Sequence, residues 1–341
     1  MFLATLLLAL AGCTSVARRE SVPLVEWQAS SPEAQGFDPS VLARIDECVA
    51  VNLPDTTSIL VARNGYIVFE RYFQGDQETK RPLRAVTKSF TSALVGIAVD
   101  KRFIRDIDDA IYDYLPDSIR EAMNDVTRSI TIRHLLTGTS GFPGGGTGWA
   151  SGEPRALRSI LSVVPLHSPG KIFGDNDANA NLLSVIITQT SGMRESEFAD
   201  KYLLGPLGIR GARWSEALEY TDGACDLQLT TREMARFGQL FLRVGTWEGQ
   251  ELIPEEWVRD STRKQVDARE FSLAGSALGY GYHWWTTELD GSGMYFAFGS
   301  SGQYICVIPD ANVVVAMTGG TAKEDDRLPL VRELIIESMT R

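Results

Sequence analysis

The sequence predicts an α+β fold: an antiparallel sheet built from both ends of the chain and flanked by helices, with a mainly helical lobe inserted between the two ends. Three patterns lead to this prediction. Strand-like residues alternate at 58–73, strand-like runs return at 280–318, and residues 85–264 show mostly helical periodicity. We therefore expect a sheet lobe from about 25–84 and 265–341, with a cleft between the lobes, where binding sites usually form.

The length and net charge of the chain limit the classes of function that it can have. The chain has 341 residues, 44% of them hydrophobic, so one large domain or two lobes with a shared interface can form. Lys and Arg number 33 against 44 Asp and Glu, a net charge of -11 that repels phosphate backbones. We expect no nucleic-acid partner.

The amino terminus resembles a bacterial export signal. Residues 2–11 form a largely apolar run, about half of the ~20 residues that a membrane-spanning helix needs. Leu10-Ala11-Gly12-Cys13 closes it and resembles a lipobox. We therefore expect a lipoprotein signal peptide at 1–13, lipidation of Cys13, a tether at 14–24 and a bacterial protein on the periplasmic or outer-membrane side.

The alternative is a plain secretory signal in which Cys13 is incidental, and the lack of Lys or Arg between Met1 and Cys13 departs from the usual signal pattern. In the lipoprotein interpretation, the protein contacts the membrane only through its lipid anchor.

The first elements follow from periodicity and turn chemistry. Helical spacing of apolar residues predicts a helix at 39–49. The pair Asn64-Gly65, which accepts positive φ, lies between two apolar runs and predicts a hairpin over 58–73. A helix is expected at 85–99.

The later elements complete the pattern. Helices are expected at 231–243 and 254–259, and strands at 280–286, 294–298 and 304–318, the last split by a turn at 309–312. A closing helix is expected at 328–339, with Val331, Leu334, Ile335 and Met339 on one face.

The segment 83–97 opens the first long helix directly after strands and contains Ala85 and Lys88. It resembles the nucleophile region of the serine β-lactamase, penicillin-binding-protein and family VIII esterase superfamily, whose motif there is Ser-x-x-Lys. Residues three apart share a helix face, so in that family the Lys amine can reach the Ser hydroxyl. Here the Lys position is kept, whereas Ala85 replaces the nucleophile.

Similarity to the family extends over nearly the whole mature chain. The class C β-lactamase-related group, which includes esterases and aminohexanoate-dimer hydrolases, is the group most resembled. The similar segments are 132–141, 169–173, 234–238, 252–258 and 302–310. The resemblance implies the β-lactamase/transpeptidase-like fold and, as the ancestral chemistry, hydrolysis of an ester, amide or lactam through an acyl-serine.

The second family motif, Tyr-x-Asn, maps onto residues 175–177. Asp175 stands at the Tyr position and Asp177 at the Asn position. The family's Tyr passes a proton beside a Lys of lowered pKa, whereas an anion near Lys88 favours the charged ammonium. We therefore expect Lys88 to form a buried ion pair with Asp175 or Asp177.

The third family motif, Lys-Thr-Gly or a variant, maps onto Ser300, Ser301 and Gly302. These residues can donate hydrogen bonds but carry no charge for a substrate carboxylate. By the resemblance, the amides of Gln303 and residue 85 form the oxyanion hole.

Other nucleophiles and metals are weaker candidates. Ser89 lies one turn beyond Ala85, deeper in the helix, where a packing role is expected. His134 and His283 are expected to be structural. The Cys and His spacing gives no metal-ligand pattern, and no cofactor is expected.

Two classes of function follow. The first is a pseudoenzyme that binds a small-molecule, peptide or peptidoglycan-like ligand in the ancestral cleft, its acyl-serine chemistry lost with the nucleophile. The second is an active esterase, amidase or β-lactamase-like hydrolase that uses another nucleophile or a water activated by Asp175. Turnover distinguishes the two.

Overall fold

A computed structural model of the chain describes residues 27–143, 154–273, 276–289, 291–320 and 327–339. The predicted signal peptide and tether, including Cys13, and the glycines at 144–146 lie outside these ranges.

Fourteen strands occur in the described ranges. They are β1 (Thr56–Arg63), β2 (Tyr66–Tyr72), β3 (Arg81–Pro82), β4 (Glu216–Ala217), β5 (Tyr220–Thr221), β6 (Gln228–Leu229), β7 (Thr246–Trp247), β8 (Gln250–Glu251), β9 (Val266–Leu273), β10 (Ser276–Tyr280), β11 (Trp285–Leu289), β12 (Ser292–Gly299), β13 (Gln303–Ile308) and β14 (Val313–Gly319).

The α-helices of the described ranges are α1 (Pro39–Leu42), α2 (Arg44–Asn52), α3 (Thr87–Asp100), α4 (Asp117–Arg120), α5 (Ile132–Leu136), α6 (Pro154–Ser162), α7 (Asp177–Ser191), α8 (Glu195–Ala199), α9 (Thr231–Leu242), α10 (Glu255–Thr262) and α11 (Leu328–Leu330). Short π-helical segments follow α8 at Asp200–Leu204 and α11 at Val331–Ile336.

Eight of the strands form one antiparallel sheet in the order β2-β1-β14-β13-β12-β11-β10-β9. Strand β1 from the amino-terminal part pairs directly with β14 from the carboxyl-terminal part, with Ser58 opposite Thr318 and Arg63 opposite Val313. The helical lobe is inserted between β2 and β9 in the chain. The predicted α+β fold, with a sheet from both chain ends, is confirmed.

Both faces of the sheet are covered, which explains its nearly continuous apolar strands. Leu60 and Ala62 of β1 face one core with α3, α7 and α9, whereas Ile59 and Val61 face a second core with α2 and the carboxyl-terminal helical turns. This alternation follows from the two-residue period of a strand. Cys306 is fully buried in the second core.

Several element boundaries differ from the sequence prediction. The predicted first helix is divided at Ala43 into α1 and α2. The predicted strand at 280–286 is wrong in its centre, because β10 ends at Tyr280, β11 begins at Trp285, and His283 between them has a φ of 57°. Strand β9 was not predicted, and the closing helix is α-helical only over α11.

The Asn64-Gly65 hairpin is confirmed. Both residues have positive φ, 54° and 84°, as a tight turn between twisted strands requires. No helix in the described ranges combines the length and apolar character needed to cross a bilayer.

Candidate active site

The site forms where the amino-terminal ends of α3 and α7 meet. Ala85 lies in a 3₁₀ turn, Arg84–Val86, that leads into α3, and Lys88 lies in the first turn of that helix. Asp175 and Asp177 flank Asn176, whose side chain caps α7 by accepting a hydrogen bond from the Ala178 amide at 2.7 Å. Carboxylates at a helix amino terminus are favoured by the helix dipole.

The dominant interaction of the site is a charge triad formed by Lys88, Asp175 and Asp177. The Lys88 Nζ lies 2.6 Å from Asp175 Oδ1 and 2.8 Å from Asp177 Oδ1. The Lys88 side chain is 4% exposed, whereas those of Asp175 and Asp177 are 39% and 24% exposed. The expected ion pair is confirmed, and it involves both carboxylates.

The triad holds Lys88 as an ammonium ion. Burial alone lowers the pKa of Lys88, but the charges of Asp175 and Asp177 outweigh it, and the net pKa is raised. Burial opposes ionisation of Asp175, yet the Lys88 charge and hydrogen bond lower its pKa below the ordinary value. Neither group is therefore a good proton acceptor near neutral pH.

Hydroxyl groups fix α3 against two loops around the site. Thr87 Oγ1 donates to the Cys225 carbonyl at 2.8 Å, and Ser89 Oγ donates to the His283 carbonyl at 2.6 Å. Ser89 is 1% exposed, so its expected structural role is confirmed. These bonds set the rotation of α3 and hence the direction of Lys88.

Tyr280 and His283 lie beside the charge triad, a placement that the sequence does not predict. Tyr280 Oη lies 3.1 Å from His283 Nδ1, and the Tyr280 ring packs 4.6 Å from the ring of Phe173. Burial, then the Lys88 charge, lower the pKa of His283 to about 3, while burial, then the Asp175 charge, raise the pKa of Tyr280. Both side chains are therefore neutral near pH 7.

The only local sequence signal for this arrangement was Gly281, which follows Tyr280. A Cβ at Gly281 would lie 2.0 Å from the Ser261 carbonyl oxygen, so the turn can form only with glycine.

Two glycines at or next to the predicted third motif make close contacts with different parts of the chain. A Cβ at Gly302 would meet the Arg327 guanidinium at 2.1 Å, and the Gln303 side chain donates to the Gly319 carbonyl at 3.0 Å. A Cβ at Gly299, in contrast, would lie 2.5 Å from the Leu83 carbonyl oxygen and 3.0 Å from the Ala85 nitrogen. Gly299, three residues before Gly302, thus makes the close contact with the turn that contains Ala85.

Ser300 follows Gly299 directly and is exposed, and Ser301 is half-buried with a φ of 64°. Gln303 is 2% exposed and pairs across the hairpin with Gly299. The assignment of an oxyanion-hole amide to Gln303 stays a prediction.

The loop after β5 adds acidic groups to the site. Asp222 is 6% exposed and accepts hydrogen bonds from the amides of Ala224 and Cys225 at 2.9 and 3.2 Å. Burial, with the Asp226 and Asp177 charges, raises the pKa of Asp222 to about 6. Burial, then the charges of Asp222, Asp177 and Asp226, raise the pKa of the Cys225 thiol to about 12, so it is a poor nucleophile.

No group of three or more His, Cys, Asp or Glu side chains is arranged to hold a metal ion in the described ranges.

His134 caps α5 through its ring, because its Nδ1 accepts a hydrogen bond from the Thr131 amide at 3.1 Å.

Comparison with known proteins identifies the family. The profile of the family described as Beta-lactamase matches residues 52–337. The chain belongs to the beta-lactamase family.

Individual relatives of this beta-lactamase family protein are distant. The 6-aminohexanoate-dimer hydrolase of Paenarthrobacter ureafaciens is 23% identical over 319 residues, which cover 84% of this chain and 80% of that protein. EstCE1, a hydrolase with promiscuous acyltransferase activity, superposes with a TM-score of 0.74 at 16% identity, covering 89% of this chain and 99% of its own. The octameric penicillin-binding protein homologue of Pyrococcus abyssi gives a TM-score of 0.71 at 18% identity, covering 87% and 79%.

Behind the site lies a buried carboxyl group that forms no ion pair with any described residue. Glu195 at the start of α8 is 0% exposed, and neither of its carboxyl oxygens has a hydrogen-bond partner in the described ranges. The nearby hydroxyls of Thr91 and Ser184 donate instead to the carbonyls of Gly223 and Thr221. Burial is the main cause that raises the pKa of Glu195 from 4.5 to about 7.

This group makes stability depend on pH. Because the folded pKa lies above the unfolded one, the unfolding free energy should fall as pH rises from about 4.5 to about 7 and level off above it. Glu195→Gln should remove this pH-dependent part of the unfolding free energy, which is on the order of 3 kcal/mol. The stability of the variant relative to the native protein should therefore increase as pH rises. Urea unfolding at pH 5 and pH 8, with exposed Glu47→Gln as control, measures the difference. Parallel pH profiles for Glu195→Gln and the native protein would contradict the assignment.

Proposed function

We propose that this protein is a non-acylating member of the beta-lactamase family that binds a small-molecule, peptide or peptidoglycan-like ligand in the cleft beside Ala85. One observation carries the proposal. A methyl group occupies the nucleophile position, and one turn later the Lys88 Nζ is held by Asp175 and Asp177 at 2.6 and 2.8 Å.

Acyl transfer of the ancestral kind needs a hydroxyl to attack the carbonyl and a neutral base to accept its proton. Ala85 removes the first requirement, and the charge triad removes the second because Lys88 stays protonated. Loss of a nucleophile in such a unit costs on the order of 10⁶ in rate, and further losses in the same unit add little. Both changes favour binding without turnover.

The side chains around Ala85 do not favour a hydrolase that uses another nucleophile. The Ser89 hydroxyl is buried and donates to a backbone carbonyl, and the Cys225 thiol has a pKa of about 12. A water activated by Asp175 needs that carboxylate to accept a proton, but the Lys88 charge lowers the pKa of Asp175. A weaker base activates water more slowly.

Restoring the two missing groups tests the proposal. The native protein should hydrolyse p-nitrophenyl butyrate no faster than the buffer background. Ala85→Ser alone should gain little, because its hydroxyl faces a protonated Lys88. Ala85→Ser with Asp175→Tyr should raise the rate by at least about 100-fold, a fraction of the ~10⁶ that an intact unit provides.

Asp175→Tyr alone is the matched control, because it releases Lys88 from one carboxylate without supplying a nucleophile. Saturable turnover by the native protein that disappears in Asp175→Asn would overturn the proposal in favour of an activated water. A folded but inactive variant that combines Ala85→Ser, Asp175→Tyr and Asp177→Asn would show that the cleft no longer binds an acyl substrate.

We also propose that the protein is exported and anchored to a periplasmic or outer-membrane face through a lipid on Cys13. The motif Leu10-Ala11-Gly12-Cys13 after the apolar run supports this. Expressed in a bacterial host, the native chain should incorporate labelled palmitate and sediment with membranes, whereas Cys13→Ser should do neither. Equal labelling of the two would contradict the anchor.

A further inference from the structure

The loop after β5 connects the candidate active site with the buried carboxyl group of Glu195. We define it as residues 222–226 and call it the site loop. On one side, the Cys225 carbonyl accepts a hydrogen bond at 2.8 Å from Thr87, at the start of α3. On the other side, Gly223 packs so closely on α8 that a Cβ there would lie 3.1 Å from Glu195 Oε2. A change at the buried carboxyl group can therefore reach the site through one short loop.

Two hydroxyl groups hold the carbonyls of this segment and lie beside the Glu195 carboxyl group. Thr91 Oγ1 donates to the Gly223 carbonyl at 2.8 Å, and Ser184 Oγ donates to the Thr221 carbonyl at 2.8 Å. Both hydroxyls also lower the pKa of Glu195, so they lie close to its carboxyl group. Because a hydroxyl has a single proton to donate, each of them can serve either the backbone carbonyl or the carboxylate.

The charge on Glu195 decides which acceptor these two protons serve. Its side chain is 0% exposed, and neither carboxyl oxygen has a hydrogen-bond partner among the residues that the structure describes. A buried carboxylate without donors is far more costly than a buried neutral carboxyl group. Hydrogen bonds to an ionised acceptor are also roughly twice as strong as those to a neutral one. When Glu195 loses its proton, the two hydroxyls should turn to it and leave the backbone carbonyls without donors.

The surrounding charges act in the same direction. Helix α8 packs on α3, α7, β5, the π-helical segment that follows it, and the site loop. The titratable side chains on these elements that are not exposed are Lys88, Asp177, Tyr202, Tyr220, Asp222, Cys225 and Asp226. Asp222 is the only one of them that changes the pKa of Glu195, and its negative charge raises it. Two carboxylates repel, so ionisation of Glu195 also disfavours the position of Asp222 in the site loop.

We propose that loss of the Glu195 proton releases the site loop, so that the segment that contributes Asp222 and Cys225 to the candidate active site becomes mobile as pH rises. The pKa of about 7 for Glu195 places this change near neutral pH. Ionisation of Asp222 alone has the opposite effect, because it strengthens the hydrogen bonds that Asp222 accepts from the amides of Ala224 and Cys225. The loop responds in this way whether the site binds its ligand or hydrolyses it.

Hydrogen exchange of the full chain tests the proposal. Deuterium uptake by peptides that cover the site loop is measured by mass spectrometry for the native protein and Glu195→Gln. The two proteins are compared at the same pH, so the intrinsic exchange rates of the loop amides are equal. At pH 8 the native loop should exchange at least about tenfold faster than the loop of Glu195→Gln, because two hydrogen bonds to the segment are lost. At pH 5 the two loops should exchange within about twofold of each other.

Peptides from β13 distinguish local release from global unfolding. Over the minutes in which the loop exchanges, these central-strand peptides should exchange little in either protein. Equal loop exchange by the native protein and Glu195→Gln at pH 8 would overturn the proposal. So would an equal acceleration of the loop and of β13 in the native protein, since it would mean that the whole fold opens.

A second variant tests the role of the hydroxyls. Thr91→Val keeps the shape of the side chain but cannot donate to the Gly223 carbonyl, so its site loop should exchange faster than the native loop already at pH 5. The difference between this variant and the native protein should be smaller at pH 8. Glu197→Gln is the matched control, because Glu197 is an exposed glutamate on the same helix, and its loop should exchange like the native one at both pH values. A folded Thr91→Val variant whose loop exchanges like the native loop at pH 5 would contradict the mechanism.

Discussion

The charge triad of Lys88, Asp175 and Asp177 is the interaction on which the rest of the site depends. A buried ammonium ion is costly unless it is paired, and removing its partners would leave an uncompensated charge in the interior. Here the partners come from the amino terminus of a second helix, where the helix dipole also favours carboxylates. The triad therefore joins α3 to α7 while it keeps Lys88 protonated.

The surrounding structure is arranged to present this triad. Hydroxyls on α3 bond to the loops that contain Cys225 and His283, and Gly299 allows β12 to approach the backbone at Ala85. The turn that leads into α3 is thus fixed by contacts from two loops and one strand. The side chains near this turn include a further acidic group, Asp222, and residues 300–302 contain no lysine. The groups of this site are poorly suited to proton transfer.

The amino-acid sequence predicts the features that depend on local chemistry. The Asn64-Gly65 hairpin follows from two positive φ values, and the pairing of Lys88 follows from the register of the family motifs. It does not predict features whose conformation is set by contacts between residues far apart in the chain. The aromatic run at 280–286 has strand-like composition, yet Gly281 packs on the Ser261 carbonyl and turns the chain, which brings Tyr280 and His283 to the site. The isolation of Glu195 was equally unpredictable, since its surroundings come from three different helices and a loop.

The pKa of Lys88 tests the central claim most directly. It can be followed by NMR of protein labelled with ¹⁵N and ¹³C in lysine, with the signal assigned from its loss in Lys88→Met. We predict that the Lys88 Nζ stays protonated beyond the ordinary lysine pKa of about 10.4 and loses its proton at lower pH when Asp175→Asn and Asp177→Asn are combined, because burial then acts unopposed. A Lys88 pKa near 7 to 8 in the native protein would mean that the amine is a competent base, and would contradict the account.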